Sequence, residues 1–198
     1  MLSGESFNEF LKDLSNLGSA IVDIAAHNTH CAINIMQNNI DSYKLFDYFL
    51  VLVVKRRKES EDSLNIIKAL LKLGVPPESI KIIFNNNSYL EIIDEEFEYL
   101  LSHLDELKIP YDTNVAIEHT PLYSMLSDID ISLWDLLSIS IDEKKNMQEY
   151  LRINRQAQEE YEELKTLIDL IMAWRCAQTA VSNLSNVYHC IFAKPEKH

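Results

Sequence analysis

The sequence predicts an α/β domain with a mainly parallel sheet flanked by helices. Apolar β-type runs alternate with amphipathic helical patterns between residues 20 and 120, and this order is typical of parallel strands joined by helical crossovers. The run YFLVLVV, Tyr48 to Val54, is apolar throughout, which favours a strand covered on both faces. Polar residues follow each strand run, at the carboxyl ends where open α/β sheets bind their ligands.

The N-terminal part of the chain predicts a helix, a strand and a second helix. Residues 4–17 carry apolar side chains at helical spacing, and Gly18 follows as a C-cap. Residues 20–25 are predicted as a strand, and a short helix then begins at Asn28 or Thr29, both good N-caps. The apolar face of the first helix consists of Phe7, Phe10, Leu11, Leu14 and Leu17.

The middle of the chain continues the alternation. After the YFLVLVV strand, the pattern ESEDSLNIIKALLKLG predicts a helix with acids in its first turn and Gly74 at its end. Ile80 to Phe84 is predicted as the next strand. A helical pattern over SYLEIIDEEFEYLLSHLDEL, an extended piece YDTNVAIEH and a helix with Pro121 in its first turn follow.

The last part of the chain predicts a long amphipathic helix. From about residue 154 to 192, apolar side chains keep a three-four spacing without glycine or proline. This pattern fits one helix, or two helices separated near Ser182 to Ser185. We therefore expect an α/β domain over residues 1–140 and a helical extension over residues 141–198, which packs on the domain or mediates association. Trp134 and Trp174 lie in apolar helical patterns and are predicted core residues.

The charge balance excludes some partners. The chain has 18 Lys and Arg against 31 Asp and Glu, a formal net charge of −13. Since unspecific nucleic-acid binding needs clustered cations, we expect no direct contact with nucleic acid and favour a basic protein partner. No apolar run approaches the roughly 20 residues of a membrane span, and the three cysteines show neither a disulfide framework nor zinc spacing. These features predict a cytoplasmic protein.

Asp23 is the candidate metal ligand. It lies near the end of the predicted strand 20–25, and a carboxylate in that position orders magnesium in phosphate-loop NTPases, usually through water. The alternative is that Asp23 caps the following helix or binds loop amides. Asn28 closes the polar stretch behind Asp23 and is counted with the same site.

Three further residues follow the other predicted strands. Arg56 and Arg57 lie in KRRK and suit contact with phosphate or with an acidic partner; the alternative is a solvated turn that offsets the ESED stretch. Asn85, in FNNN, is placed to read a purine edge or to brace the site; the alternative is a polar turn. If the three strands are parallel neighbours, Asp23, Arg56 and Asn85 share one rim of the sheet.

The phosphate cradle of such a site has no counterpart in this sequence. A phosphate loop needs GxxxxGK[ST], whose backbone amides and lysine hold the phosphates. The three glycines, Gly4, Gly18 and Gly74, lie in no such motif. We therefore expect that this chain alone does not hydrolyse ATP efficiently, and the prediction for enzymatic activity leans towards none.

The stretches IVDIAAHNTH and FDYFLVLVVKRRKESEDSLNIIKALLKLGVPPESIKIIFNN resemble StbB-type plasmid stabilisation proteins. This family includes TraL-like conjugal transfer proteins and is related to the ParA/MinD partition ATPases. The resemblance covers residues 20 to 86 and implies a P-loop-NTPase-like α/β fold and a role in plasmid maintenance or conjugative transfer. It places Asp23 at the Walker B-like position and Asn85 at a polar strand end, whereas Ala25 or Ala26 replaces the family glycine.

Three hypotheses about function follow. The first is a degenerate relative of the partition ATPases that acts in plasmid stabilisation, partition or conjugation through protein contacts, with a basic, DNA-bound partner or as a homodimer through the C-terminal helix. The second is an ATP-binding switch whose phosphate loop comes from a preceding segment or a partner. The third is an unrelated cytosolic interaction module. The predicted cofactor is accordingly either none, or ATP with Mg²⁺ held by Asp23 and the nucleotide contacted by Asn28, Arg56, Arg57 and Asn85.

Overall fold

The computed structural model describes residues 13, 16–17, 19–88, 92–154 and 161–192, except for the side chains of 141, 144, 151–154 and 161–164. The N-terminal helix predicted over residues 4–17 lies almost entirely outside this part of the chain. Short 3-10 turns occur at Ala26–Asn28, Ser42–Leu45 and Pro77–Ser79. The strands are β1 (Phe49–Val53), β2 (Ile80–Asn87) and β3 (Ala116–Glu118); the helices are α1 (Thr29–Asn38), α2 (Arg57–Leu73), α3 (Ile93–Glu96), α4 (Glu98–Leu107), α5 (Leu122–Asp128), α6 (Leu133–Ser138), α7 (Ile141–Asn154) and α8 (Tyr161–Phe192).

The strands form a three-stranded parallel sheet in the order β1, β2, β3. β1 and β2 pair in register from Phe49 opposite Ile80 to Val53 opposite Phe84. The predicted α/β class, with a parallel sheet, flanking helices and a long C-terminal helix, is thereby confirmed. The chain divides into a first unit, Met1–Phe84 with Glu91–Thr113, and a second unit, Asn85–Leu90 with Asn114–His198.

The first unit is built around the β1–α2–β2 succession. α2 contacts β1, and α1 and α4 both pack against α2. Its core is apolar and includes four completely buried side chains: Val53, Ile67, Ile80 and Phe84. Phe97 joins them in an edge-to-face contact with Phe84, with ring centroids 4.9 Å apart.

Two predictions for the first unit differ from the structure. Residues 20–25 form no strand, and Ile21 is 96% exposed. The stretch IVDI has only three apolar residues, Ile21, Val22 and Ile24, and no strand of the described residues pairs with it. β1 is also not covered evenly: Val51 and Val53 are buried, whereas Leu50 and Leu52 keep 43% and 52% exposure. A continuous apolar run therefore does not here mark a strand with two buried faces.

The second unit is built around α8. Helices α5, α6 and α7 and strand β3 all contact α8. α8 runs unbroken from Tyr161 to Phe192, so of the two predicted forms the single helix is correct over the described residues, without a break at 182–185. Three small residues of α8 are buried against the larger side chains of α5 and α6; this cluster contains Ala173, Ala177, Ala180, Leu122, Leu126 and Leu136. The predicted boundary at residue 140 falls inside this unit.

Within the described residues, no helix is both long enough and apolar enough to cross a bilayer.

Candidate functional site

Asp23 does not occupy the end of a strand. It lies exposed on irregular backbone ahead of the 3-10 turn at Ala26–Asn28. Asn28 is also exposed, and its side chain makes no cap hydrogen bond to α1. The expected shared rim of Asp23 with strand-end residues is therefore wrong, because the strand that was to carry Asp23 does not form.

Arg56 and Arg57 follow β1 after Val54 and Lys55, at the start of α2. The guanidinium of Arg56 lies 3.7 Å from a carboxylate oxygen of Glu59, and Nε of Arg57 lies 3.4 Å from that of Glu61. Arg57 also stacks 4.9 Å above the ring of Tyr99. Both arginines thus interact with neighbouring residues while remaining largely exposed. Within the described chain, no hydrogen bond or ion pair joins them to Asp23.

Asn85 belongs to a polar cluster at the carboxyl ends of β2 and β3, within the second unit. Its Oδ1 accepts a hydrogen bond from the backbone N–H of Asn86 at 2.9 Å. Asn86 takes a left-handed conformation, with φ of 61°. In that conformation its Oδ1 lies 2.7 Å from Nδ1 of His119, the residue that follows β3.

The same cluster contains a buried polar atom that finds no partner in the described part of the chain. The backbone oxygen of Asn87 accepts from the backbone N–H of His119 at 2.8 Å. Asn87 is only 6% exposed, and its Oδ1 has no hydrogen-bond partner among the described residues. A buried amide oxygen without a partner costs about 1–3 kcal/mol, so this position is strained unless a further donor reaches it.

A small cavity lies beside this cluster, between β3, the start of α5 and α8. Its volume is about 140 Å³, close to the size that holds one benzene molecule and well below the roughly 300–1,000 Å³ of drug-sized ligand sites. It therefore suits a single side chain or a very small molecule and not a nucleotide. Its lining mixes apolar and polar groups: Ile117, Glu118, His119, Thr120, Tyr123, Cys176, Thr179, Ala180, Asn183 and Leu184.

The chemistry available in this cavity is limited. Because Oδ1 of Asn86 can only accept, Nδ1–H of His119 is the donor in their contact. Cys176 lines the same cavity, but no hydrogen bond joins its thiol to His119 in the described structure. No group of three or more His, Cys, Asp or Glu side chains able to hold a metal occurs there or elsewhere among the described residues. The cavity can bind by hydrogen bonding, and it lacks an activated nucleophile.

Sequence reasoning missed His119 and Thr120. Both directly follow a short extended segment, and polar residues after a predicted strand were the signal used for Asn85. β3 has only three residues, too few for a periodic pattern to identify its end. The sequence signal was therefore present but weak.

A second surface feature lies on α6 and corrects a prediction. Trp134 is 78% exposed and Leu137 is 39% exposed, so Trp134 is not a core residue. Leu136, between them, is completely buried in the α8 cluster. We call Trp134 and Leu137, with the neighbouring exposed Asp128, Asp130 and Asp135, the α6 surface.

The comparisons with known proteins add no relative to these observations. No protein-family model, no curated protein and no solved structure matches the chain.

Proposed function

We propose that this chain is a plasmid stabilisation or conjugative-transfer accessory protein of the cytoplasm that acts through protein contacts and uses no nucleotide of its own. Its P-loop-NTPase-like ancestry is part of the same proposal. Support comes from the resemblance over residues 20 to 86 and from the β1–α2–β2 unit that these residues include. The net charge of −13 favours a basic, DNA-bound protein as partner.

The position of Asp23 carries the nucleotide-independent part of the proposal. A magnesium-side carboxylate works from the end of a strand beside the bound phosphates, whereas Asp23 lies exposed on irregular backbone. Gly74 caps the carboxyl end of α2, and its φ of 94° serves that turn instead of a phosphate cradle. These features favour the first hypothesis over an ATP-binding switch.

A nucleotide titration tests this part directly. A fluorescent ATP analogue with Mg²⁺ is titrated with the chain and with Asp23→Ala and Arg56→Ala. We expect no saturable binding by any of the three proteins. Saturable binding that Asp23→Ala weakens tenfold or more would instead support the switch hypothesis and overturn the proposal.

Plasmid retention tests the biological role. The coding sequence is deleted from the plasmid that carries it, and plasmid loss and conjugative transfer are counted over many generations without selection. We expect the deletion to reduce retention or transfer, and we expect the unsubstituted chain and Asp23→Ala to restore it equally. A deletion without effect on either count would refute the role.

Self-association through α8 belongs to the same proposal. The chain has a mass of 22.9 kDa, so light scattering after size-exclusion chromatography distinguishes a monomer from a dimer. α8 carries exposed Ile168 and Met172 one turn apart, which is a suitable apolar contact. We expect a dimer, and we expect the double variant Ile168→Glu with Met172→Glu to be a monomer. A monomer of the unsubstituted chain at all concentrations would contradict this.

A further inference from the structure

We propose that the α6 surface binds a basic amphipathic helix of the partner protein. This inference rests on the proposed function, because it names where and with what chemistry the chain makes its protein contact. It assigns a binding role to Trp134 and Leu137.

The apolar part of the surface is fixed by the way α6 begins and packs. Ser132 caps the helix: its Oγ accepts from the backbone N–H of Asp135 at 3.1 Å and donates to that carboxylate at 2.5 Å. Leu136 is buried against α8, and this anchor leaves Trp134 and Leu137 pointing outwards, one turn apart on one face. Tryptophan is enriched at the centres of protein interfaces, where its truncation is among the most costly.

The charge around these two side chains has one sign. Residues 128–143 contain five acids and neither lysine nor arginine. Asp142 pairs with Lys145 at 3.8 Å, whereas Asp128 and Asp130 form no ion pair within the described residues and both are exposed. The surface therefore offers an apolar centre beside uncompensated negative charge.

A basic amphipathic helix matches both parts. Its apolar residues at i, i+3 and i+4 fit Trp134 and Leu137, while its lysines or arginines meet Asp128 and Asp130. A lysine or arginine over the indole face adds a cation–π attraction. Nucleic acid is repelled by the carboxylates, and a second copy that presented its own α6 surface would bring the same acids against them.

Trp134 fluorescence reports binding at the surface itself. The chain has two tryptophans, so Trp174→Phe leaves Trp134 as the only one. The probe is a synthetic 18-residue helix of leucine and lysine, with leucine at i, i+3, i+4 and i+7. We expect a saturable shift of the emission to shorter wavelength, with affinity that falls as salt rises. Calorimetry on the unsubstituted chain repeats the titration, in case Trp174→Phe disturbs packing.

Two control peptides separate shape from charge. One has the same composition in an order that distributes leucine around the helix, and the other replaces every lysine by glutamate. We expect each control peptide to bind at least about tenfold more weakly than the probe. Equal binding of the scrambled peptide would show charge attraction alone and overturn the proposal. An emission shift on concentrating the chain without peptide, if it persists in Ile168→Glu with Met172→Glu, would identify a second copy as the occupant and also overturn it.

Matched variants locate the binding site on the unsubstituted chain by calorimetry. Trp134→Ala is expected to weaken the probe about tenfold or more, and Asp128→Asn with Asp130→Asn about threefold to tenfold. The controls are Tyr188→Ala, an aromatic residue that is 60% exposed on α8, and Asp62→Asn, an exposed acid on α2. Both are expected to bind like the unsubstituted chain. Equal losses in variant and control would refute the assignment to α6.

The plasmid assay distinguishes this inference from the function on which it rests. If the deletion lowers retention and Trp134→Ala restores it fully, the α6 surface is not the partner site while the function stands. If the deletion has no effect but the peptide binds through Trp134, the surface is a binding site and the plasmid role is wrong. Loss of retention with both the deletion and Trp134→Ala is the expected result.

Discussion

Asn183 shows how one side chain can complete the edge of a sheet. Its Nδ2 donates to the backbone oxygen of Ala116 at 2.9 Å, and its Oδ1 accepts from the backbone N–H of Glu118 at 3.1 Å. Residues two apart on a strand point their backbone groups to the same side, so this amide makes the hydrogen bonds that a further strand would make. A short strand such as β3 depends on partners of this kind.

Removing this amide is expected to destabilise the second unit. Asn183→Ala leaves the partly buried oxygen of Ala116 and the exposed N–H of Glu118 without their partner, and we expect a loss of about 1 kcal/mol. The control is Asn65→Ala, at an exposed position of α2. Urea unfolding followed by circular dichroism measures both, and an equal stability of the two variants would contradict the edge role of Asn183.

Gly74 carries the second prediction at the scale of a residue. Its φ of 94° closes α2, and an added Cβ would lie 3.0 Å from the Tyr43 hydroxyl. Gly74→Ala is therefore expected to lower the free energy of unfolding by about 1–2 kcal/mol. Adding Tyr43→Phe relieves the contact but not the backbone strain, so less than half of the loss should return. Unchanged stability in urea for Gly74→Ala would refute this account.

These residues also show what a sequence can predict about single positions. Gly74 was predictable because a glycine after an amphipathic helix has one common structural reason. The position of Asp23 was not predictable, since its interpretation depended on a strand over residues 20–25, and a strand forms only where a second strand pairs with it. The contact of Asn86 with His119 joins residues 33 apart along the chain. Only the pairing of β2 and β3 brings them together, and no local pattern contains that information.

Among the elements, α8 depends on small side chains for its packing. Ala173 and Ala177 are completely buried against leucines of α5 and α6, so the helices approach closely. Ala177→Leu adds three carbons at a completely buried position, and we expect a loss of about 1–3 kcal/mol from overpacking. Gln178→Leu places the same side chain at the adjacent exposed position and should change stability little. The urea midpoints of the two variants decide, and similar midpoints would contradict close packing at Ala177.

The predictable elements were those in which the apolar pattern repeats over several turns. The 3.6-residue pattern of α2 extends over several turns, and the helix ends at the predicted glycine. α6 has only six residues, and its apolar residues did not indicate in the sequence that Trp134 is exposed while Leu136 is buried. The same applies to β1, where a run of apolar residues hides an alternating burial. Periodicity identifies an element, but the neighbours that cover it decide which of its faces is buried.

At the scale of the whole molecule, we expect like-charge repulsion to outweigh the exposed ion pairs. The acids exceed the bases by 13, and ion pairs such as Arg57–Glu61 are exposed and stabilise by about 0–1 kcal/mol each. Added salt screens both effects. Because the repulsion involves the whole excess charge and an exposed pair is weak, we expect screening to favour the folded state.

The corresponding prediction is a urea midpoint that rises between low and high concentrations of sodium chloride at neutral pH. Urea is the suitable denaturant, since it is uncharged and leaves the ionic strength to the added salt. Glycerol at matched osmolality serves as the control for effects of the cosolute that do not involve charge. A variant with Asp128→Lys and Asp130→Lys, which reduces the net charge by four, should show a smaller salt dependence and a higher midpoint at low salt. A midpoint that falls with salt would mean that the ion pairs contribute more stability than the repulsion removes.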